Sequence, residues 1–547
     1  MRNRLLILAL LFSSLSLIST IPCHAEDPFN QLTFHGFNPE SLSPEGKEGL
    51  SHIFSGNIFR AAIPFPLFVE LSKDLPGPIE EIISPLGQFV RYGRLPSPRT
   101  RKEGTIPFVP VSLGVSVFQR EGVPLINENC FSCHAGVVRG IVTAGLGNSH
   151  IDQSSLYADI LKLLSFEKTK REPGGAREEE EFHDFMEYVK TAVTPALKHA
   201  KSRGDNVGPY GVWRMISRFI DPENKGLMTY PSTETAPLDS WFDFQQLPTI
   251  DPNPWWHLKY KTTCYRYGDA GPYDASHFSL NFTQPYSGVN DDHKEHVNRV
   301  SKVLAFARET TSPPYPEQLD PEKVESGRKL FHGEAPLANG SKLSCYRCHG
   351  AYKRNERLGW LVHYEATQPI NVGTDLAYSE LLMSWGRLED IGKRLENFYQ
   401  KRGEGDLAPR FHIPRKKGYL PPPLVGVWAS APYFHNGSVP TVELVLNSKK
   451  RPSIWKRENR DPFAYHLEEA GLHYSLVTPA EYEQLSQEVV NDDPSSQRRI
   501  DFRAIYDTRD FGRSNQGHTF GDAMTDEERK IVLQFLKSLS GPNMEPA

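Results

Sequence analysis

The sequence predicts a mainly α-helical chain of two domains packed together, with long loops and a helical insertion in the first. Three observations predict it. A Cys-x-x-Cys-His pentad occurs twice, as "CFSCH" at 130–134 and "CYRCH" at 345–349, so two similar units are expected. Apolar residues at helical spacing bracket the second pentad on both sides. With 44 Pro and 41 Gly in 547 residues, the chain also needs many irregular connections.

The first element is an export signal at residues 1–25. "MRNRLLILALLFSSLSLISTIPCHAED" has a basic start at Arg2 and Arg4, an apolar, Ser-rich middle and small residues up to Ala25. Acylation at Cys23 is the alternative, and Pro22 before it fits that site poorly. No later apolar run reaches the roughly 18 residues that a membrane span requires. The N-terminal domain follows at 26–310 and carries a charged, helix-like insertion at about 165–204, whose acidic run Glu178–Glu181 is expected to form a solvated face. A Pro-rich linker, "TTSPPYPEQLD", opens the C-terminal domain at 311–547. It leads into a helix capped by Asp320 and started by Pro321, with Val324, Gly327, Leu330 and Phe331 on one face. A closing helix starts at the capping box Thr525/Glu528, carries Ile531, Val532, Phe535, Leu536 and Leu539, and ends at Gly541. No tandem repeat beyond the pentad is visible.

One pentad arises by chance in roughly two chains per thousand of this composition, so two are informative. A zinc site would need four ligands close together, and each Cys pair here is isolated. A thioredoxin-like redox pair would not need the adjacent His. Covalent haem uses all three residues: the two thiols form thioethers to the porphyrin vinyl groups, and the next imidazole turns to the iron. This reading assigns Cys130, Cys133, Cys345 and Cys348 to two covalently attached haem c groups, with His134 and His349 as proximal iron ligands. Such attachment belongs outside the cytoplasm, which agrees with the leader and predicts a periplasmic or secreted protein. Removing the leader leaves Cys264 with no cysteine to pair with, and a buried thiol is the expectation for it. A net charge of −5 gives no basic footprint for a nucleic-acid partner.

The two pentads, the segment "PPPLVGVWASAPYFHNGSVPTVELV" at 421–443 and the capped closing helix together resemble the exported dihaem cytochrome superfamily, which contains the bacterial cytochrome c peroxidases and MauG. "CFSCHAGVVRG", "GLGNSHID", "PWWHLKYK" and "NQGHTFGDAMTDEERKIVLQFLKSL" look most like the branch of secreted rubber-oxygenase-like dihaem proteins. The resemblance leaves out residues 26–110 and 160–240. It implies two cytochrome c-type haem domains packed face to face, one haem activating peroxide or oxygen and the other relaying electrons, and a calcium ion between them.

The sixth iron ligand sets potential and reactivity. Peroxidase relatives use a Met in the second domain, but none occurs here between Met383 and Met524. The oxygenase-like branch places a His in a "GH-aromatic-G" motif, which His518 in "NQGHTFG" matches, so His349 and His518 are the expected pair at the second iron. Met524 and His435 are the alternatives, and His435 is expected to hydrogen-bond near a haem edge or propionate. At the first iron, His150 stands at the offset where peroxidase relatives carry a distal His. It is the candidate ligand or acid–base group, with a hydrogen-bonded loop residue as the other reading. Arg139 is a further cationic candidate. Trp256, in "DPNPWWHLKYK", is the expected aromatic bridge between the haems, in place of the Trp that "CYRYGDA" at 264–270 lacks; ordinary core packing is its alternative. The expected function is an exported dihaem oxidoreductase using peroxide or oxygen and an electron donor or organic substrate. A non-enzymatic electron-transfer cytochrome and a MauG-like protein-modifying enzyme are the alternatives.

Overall fold

The structure is a computed structural model that describes residues 33–56, 58, 62–72, 92–95, 112–165, 175–188, 248–268, 274–283, 292–384, 388–401, 403–410, 416–458, 461–492 and 496–547. The expected leader at 1–25, with Cys23, and most of the expected charged insertion lie outside the described residues.

The two pentads sit in the same local architecture. Strands β1 (Thr33–His35), β2 (Ile63–Pro64), β3 (Val115–Arg120) and β4 (Val123–Glu128) precede a one-turn helix α1 (Phe131–His134), which runs directly into β5 (Ala135–Val138) and β6 (Ile141–Ala144). Later, the one-turn helix α2 (Tyr346–His349) runs directly into β7 (Ala351–Asn355) and β8 (Gly359–His363). Both hairpins are antiparallel, and each is completed by a parallel strand from far along the chain: β1 on β6 in the first unit, and β12 (Met544–Pro546) on β8 in the second. A further antiparallel sheet has the order β2-β4-β3. The fourth has β9 (Ile454–Arg457) between β10 (Tyr474–Leu476) and β11 (Ile505–Asp507).

Among the described residues these four three-stranded sheets overturn the expectation of a mainly α chain, since strands and helices share the fold. The cause is local. "GVVRGIVTA" holds β-branched residues on both sides of Arg139 and Gly140, whose φ values of +50° and +74° make the two-residue turn that matches strand twist. Glu121 and Gly122, at +49° and +83°, do the same between β3 and β4. Arg139 is therefore an exposed turn residue.

The helices expected around the second pentad form. α3 (Pro321–Phe331) is capped by the Asp320 carboxylate, which accepts from the Glu322 and Lys323 amides, and it buries Val324, Gly327, Leu330 and Phe331. α4 (Asp526–Ser538) carries the Thr525/Glu528 capping box and stops at Ser538. The two cross at Gly327, where a Cβ would stand 2.3 Å from the Ile531 carbonyl oxygen and 2.8 Å from the Phe535 Cβ. Within the insertion, Ala176–Tyr188 is a helix, but its acidic run is not a uniformly solvated face. Glu181 is only 2 % exposed and accepts from Arg120 Nη1 at 2.8 Å, because the guanidinium from β3 compensates its charge.

Among the described residues, apolar side chains gather in two cores. One surrounds the first pentad with Ile53, Phe54, Phe131, Val142 and Phe306. The other surrounds the second with Phe331, Tyr352, Trp360, Trp428 and Phe535. Trp255 packs against the first and Trp256 belongs to the second, so adjacent residues of one 3-10 turn (Trp255–Tyr260) face different cores.

Candidate functional site

The first pentad is held by its own carbonyls. Gly145 N donates to the His134 oxygen at 2.7 Å, Asn148 N to Cys133 at 2.8 Å and Asn148 Nδ2 to Ser132 at 2.9 Å. "GLGN" is thus a clamp on α1. From the same clamp, the Gly145 oxygen accepts from Trp255 N at 2.8 Å and brings that indole against the His134 imidazole, centroids 5.0 Å apart and planes 29° off parallel. Burial pushes His134 down to about 4, with the Asn253 backbone pulling the other way. Its Nδ1 is buried without a well-formed hydrogen bond. Burial also pushes the Cys130 thiol up to about 12, so it is neutral.

His150 is buried at 4 % exposure, in the loop beyond the clamp. Its Nε2 lies 2.8 Å from Arg457 Nη2, while Arg457 Nη1 donates to the Ser149 oxygen at 3.0 Å. A guanidinium can only donate, so Nε2 is the acceptor and the imidazole proton is on Nδ1.

The second pentad is gripped by the "PPP" stretch. His349 Nδ1 donates to the Pro422 oxygen at 2.8 Å, which leaves its Nε2 lone pair for a metal. Tyr352 Oη donates to the His349 oxygen at 2.9 Å and accepts from Leu424 N at 2.7 Å; Tyr364 Oη donates to the Pro421 oxygen. Burial lowers His349 and pushes the Cys345 thiol up to about 11.

Across from His349 stands His518, ring centroids 6.0 Å apart and planes at 66°. Two imidazoles bonded at about 2 Å to opposite sides of one iron have centroids about 6 Å apart, so the spacing fits a haem iron between them. Burial pushes His518 down to about 4, and the neighbouring His349 and Arg451 add to the effect. Of the alternatives, Met524 is buried in the second core. His435 stacks on Tyr419 at 3.7 Å, its Nε2 buried without a partner and Arg266 nearby depressing its pKa further. Arg266 donates to the Asp251 oxygen from Nε at 3.1 Å and Nη2 at 2.6 Å. An orphaned buried imidazole nitrogen beside a half-buried guanidinium, which also pairs with the Asp251 carboxylate at 3.2 Å, is compatible with a porphyrin carboxylate. No three His, Cys, Asp or Glu side chains converge to hold a metal ion among the described residues.

Trp256 is fully buried, and its Nε1 donates to the Val425 oxygen at 2.9 Å. His257 Nε2 shares that oxygen at 2.9 Å. Sequence reasoning did not single out the stack of Trp255 on His134, nor Arg451, whose guanidinium reaches the backbone of His518. The signal for Arg451 was weak: one Arg in a basic run reads as surface. Cys264 is buried at 1 % exposure.

The family described as RoxA-like, cytochrome c-like matches residues 418–456. This segment contributes the carbonyl that holds His349, the carbonyl under Trp256, and both Phe434 and Arg451 beside His518. The match supports a cytochrome c-type relationship and haem c as cofactor. Two curated proteins of Sinorhizobium fredii, both named only as uncharacterized, are also similar. "Uncharacterized protein y4iJ" is 29 % identical over 22 % of this chain and 18 % of its own length. "Uncharacterized protein y4iM" is 34 % identical over 21 % of this chain and 23 % of its own length. The chain therefore spans under a quarter of either relative.

Proposed function

We propose that the chain is an exported dihaem c-type cytochrome acting as an oxidoreductase, its first haem on His134 activating peroxide or oxygen and its second, between His349 and His518, relaying electrons. A haem iron with an open sixth position supplies oxygen or peroxide chemistry, and one with both positions filled supplies a one-electron store. The observation that carries the reading is an asymmetry. A second imidazole stands 6.0 Å from His349, whereas His150, the histidine expected opposite His134, has its Nε2 lone pair engaged by Arg457.

The chain's own residues have distinct work in this reading. The Pro422 carbonyl fixes the His349 tautomer, and Trp255 fixes the plane of His134. Trp255 and Trp256 join the two haem units: one indole lies on His134 and the other bonds the Val425 carbonyl, one residue from the Leu424 amide that Tyr352 ties to His349. That bonded route supports Trp256 as the relay. Arg266 and His435 hold a propionate, and Arg457 fixes the orientation of the His150 ring. Export rests on the leader. No helix among the described residues is long and apolar enough to cross a membrane.

Visible and EPR spectra of the purified holoprotein test this. One high-spin, ligand-accessible ferric haem beside one low-spin haem is expected, and His518→Ala should remove the low-spin signal. Two low-spin haems in the parent protein would instead identify an electron carrier.

A further inference from the structure

We propose that Arg451 is the positioning residue for His518, holding the segment that carries this imidazole in the one conformation that faces His349. The inference rests on His518 being an iron ligand.

His518 occupies the left-handed backbone region at φ +47°, directly after Gly517 at +74°. A β-carbon at Gly517 would come within 2.2 Å of the Gly373 carbonyl carbon, so the segment is pressed onto its neighbour. A non-glycine residue in this region is strained and persists only where its surroundings over-determine it. The His518 amide donates to the Val372 oxygen at 2.9 Å, and Asn436 Nδ2 bonds the oxygens of Gly512 and Ser514, both at 3.1 Å. These contacts anchor the approach. Arg451 secures the end.

Its guanidinium makes five hydrogen bonds, all to backbone carbonyls. Nε donates to Leu444 at 2.8 Å and Nη2 to Val445 at 2.9 Å, in the short helix Val442–Leu446. Nη1 donates to Asn515 and Gly517, both at 2.7 Å, and Nη2 also donates to His518 at 3.1 Å. Five N–H groups are all that an arginine has, and each is used. The plane lies over Phe434, 4.9 Å from the ring centroid, and Phe434 itself packs against His518 at 6.1 Å. One planar fork thus welds a helix end to the strained segment while resting on the ring beside the ligand. Lysine, with three donors on a flexible stem, cannot reproduce this.

The experiment uses holoprotein variants Arg451→Lys, Arg451→Ala and His518→Ala, read by haem content, EPR and the midpoint potential of the low-spin haem. Arg451→Lys should keep both haems attached yet change the g-values of the low-spin signal, raise the potential and lose part of the signal to high-spin. Arg451→Ala should do so more fully, and added imidazole should restore low-spin character. Parent-like spectra and potential in both Arg451 variants, with His518→Ala changed, would overturn this inference alone. An unchanged low-spin signal in His518→Ala would instead sink the ligand assignment. If neither Arg451 variant accumulates folded, the residue serves the fold and the inference is overturned.

Discussion

At His257 the chemistry is that of a neutral imidazole kept in the interior. Burial pushes it down to about 3, the Val425 carbonyl opposing and the charges of Lys261 and Arg266 assisting. The unfolded chain takes up a proton there below about 6.5 and the folded chain does not. Stability from this group is therefore complete above about 6.5 and is lost as pH falls toward 3, at a limiting slope of about 1.4 kcal/mol per pH unit. His257→Gln retains a donor for the Val425 carbonyl and cannot titrate. Thermal melts at pH 7.5 and 5.5 should show a smaller acid loss in the variant than in the parent. Trp256→Phe should cost about 1 kcal/mol through the lost Nε1 hydrogen bond, and should slow electron transfer between the haems while leaving both spectra unchanged. Stopped-flow reduction checks this. At this scale the two pentads were legible because each is a motif of five consecutive residues. The clamp by "GLGN" was not, since backbone hydrogen bonds within a loop leave no periodic trace, and neither was the engagement of His150 by Arg457, some 300 positions away.

Among elements, the α3–α4 crossing depends on the absence of one side chain. Gly327→Ala would drive a methyl group against the Ile531 carbonyl and should destabilise the holoprotein by about 1–3 kcal/mol, although alanine is the better helix former. Chemical denaturation measures it; a neutral or stabilising result would show that the crossing can open. Thr525→Ala removes a cap whose oxygen accepts from the Glu528 amide at 3.2 Å, for about 1 kcal/mol. Both helices were readable from caps and periodicity. The strands were not, although "VVRGIV" carries a readable hairpin signal in its β-branched flanks and its Gly. Pentad and helix signals drew attention to a helical architecture. The short β1 and β12 strands, each of three residues, have too little pattern to be found from sequence.

For the whole molecule, buried charge ties the two halves together. Asp152, fully buried near the first pentad, pairs with Arg503 at 3.3 Å, and Ser149 and His150 take hydrogen bonds from Arg457. Arg503→Met leaves the buried Asp152 carboxylate with its Ser155 donors but without this guanidinium and should cost about 3 kcal/mol, while the double change with Asp152→Leu recovers much of that. Calorimetry of the single and double variants decides, and equal losses in both would place the cost in packing. That the chain carries two similar local units was legible from two pentads. How they meet was not, because the ties come from single polar residues in unremarkable contexts.

The hairpins behind the pentads have a consequence for biogenesis. Until Met544–Pro546 pairs with it, β8 presents one bare edge, and that pairing joins residues far apart in the chain. Closure by so distant a strand makes this sheet one of the slower parts of the fold to form, after which its edge is no longer open to pairing with another chain.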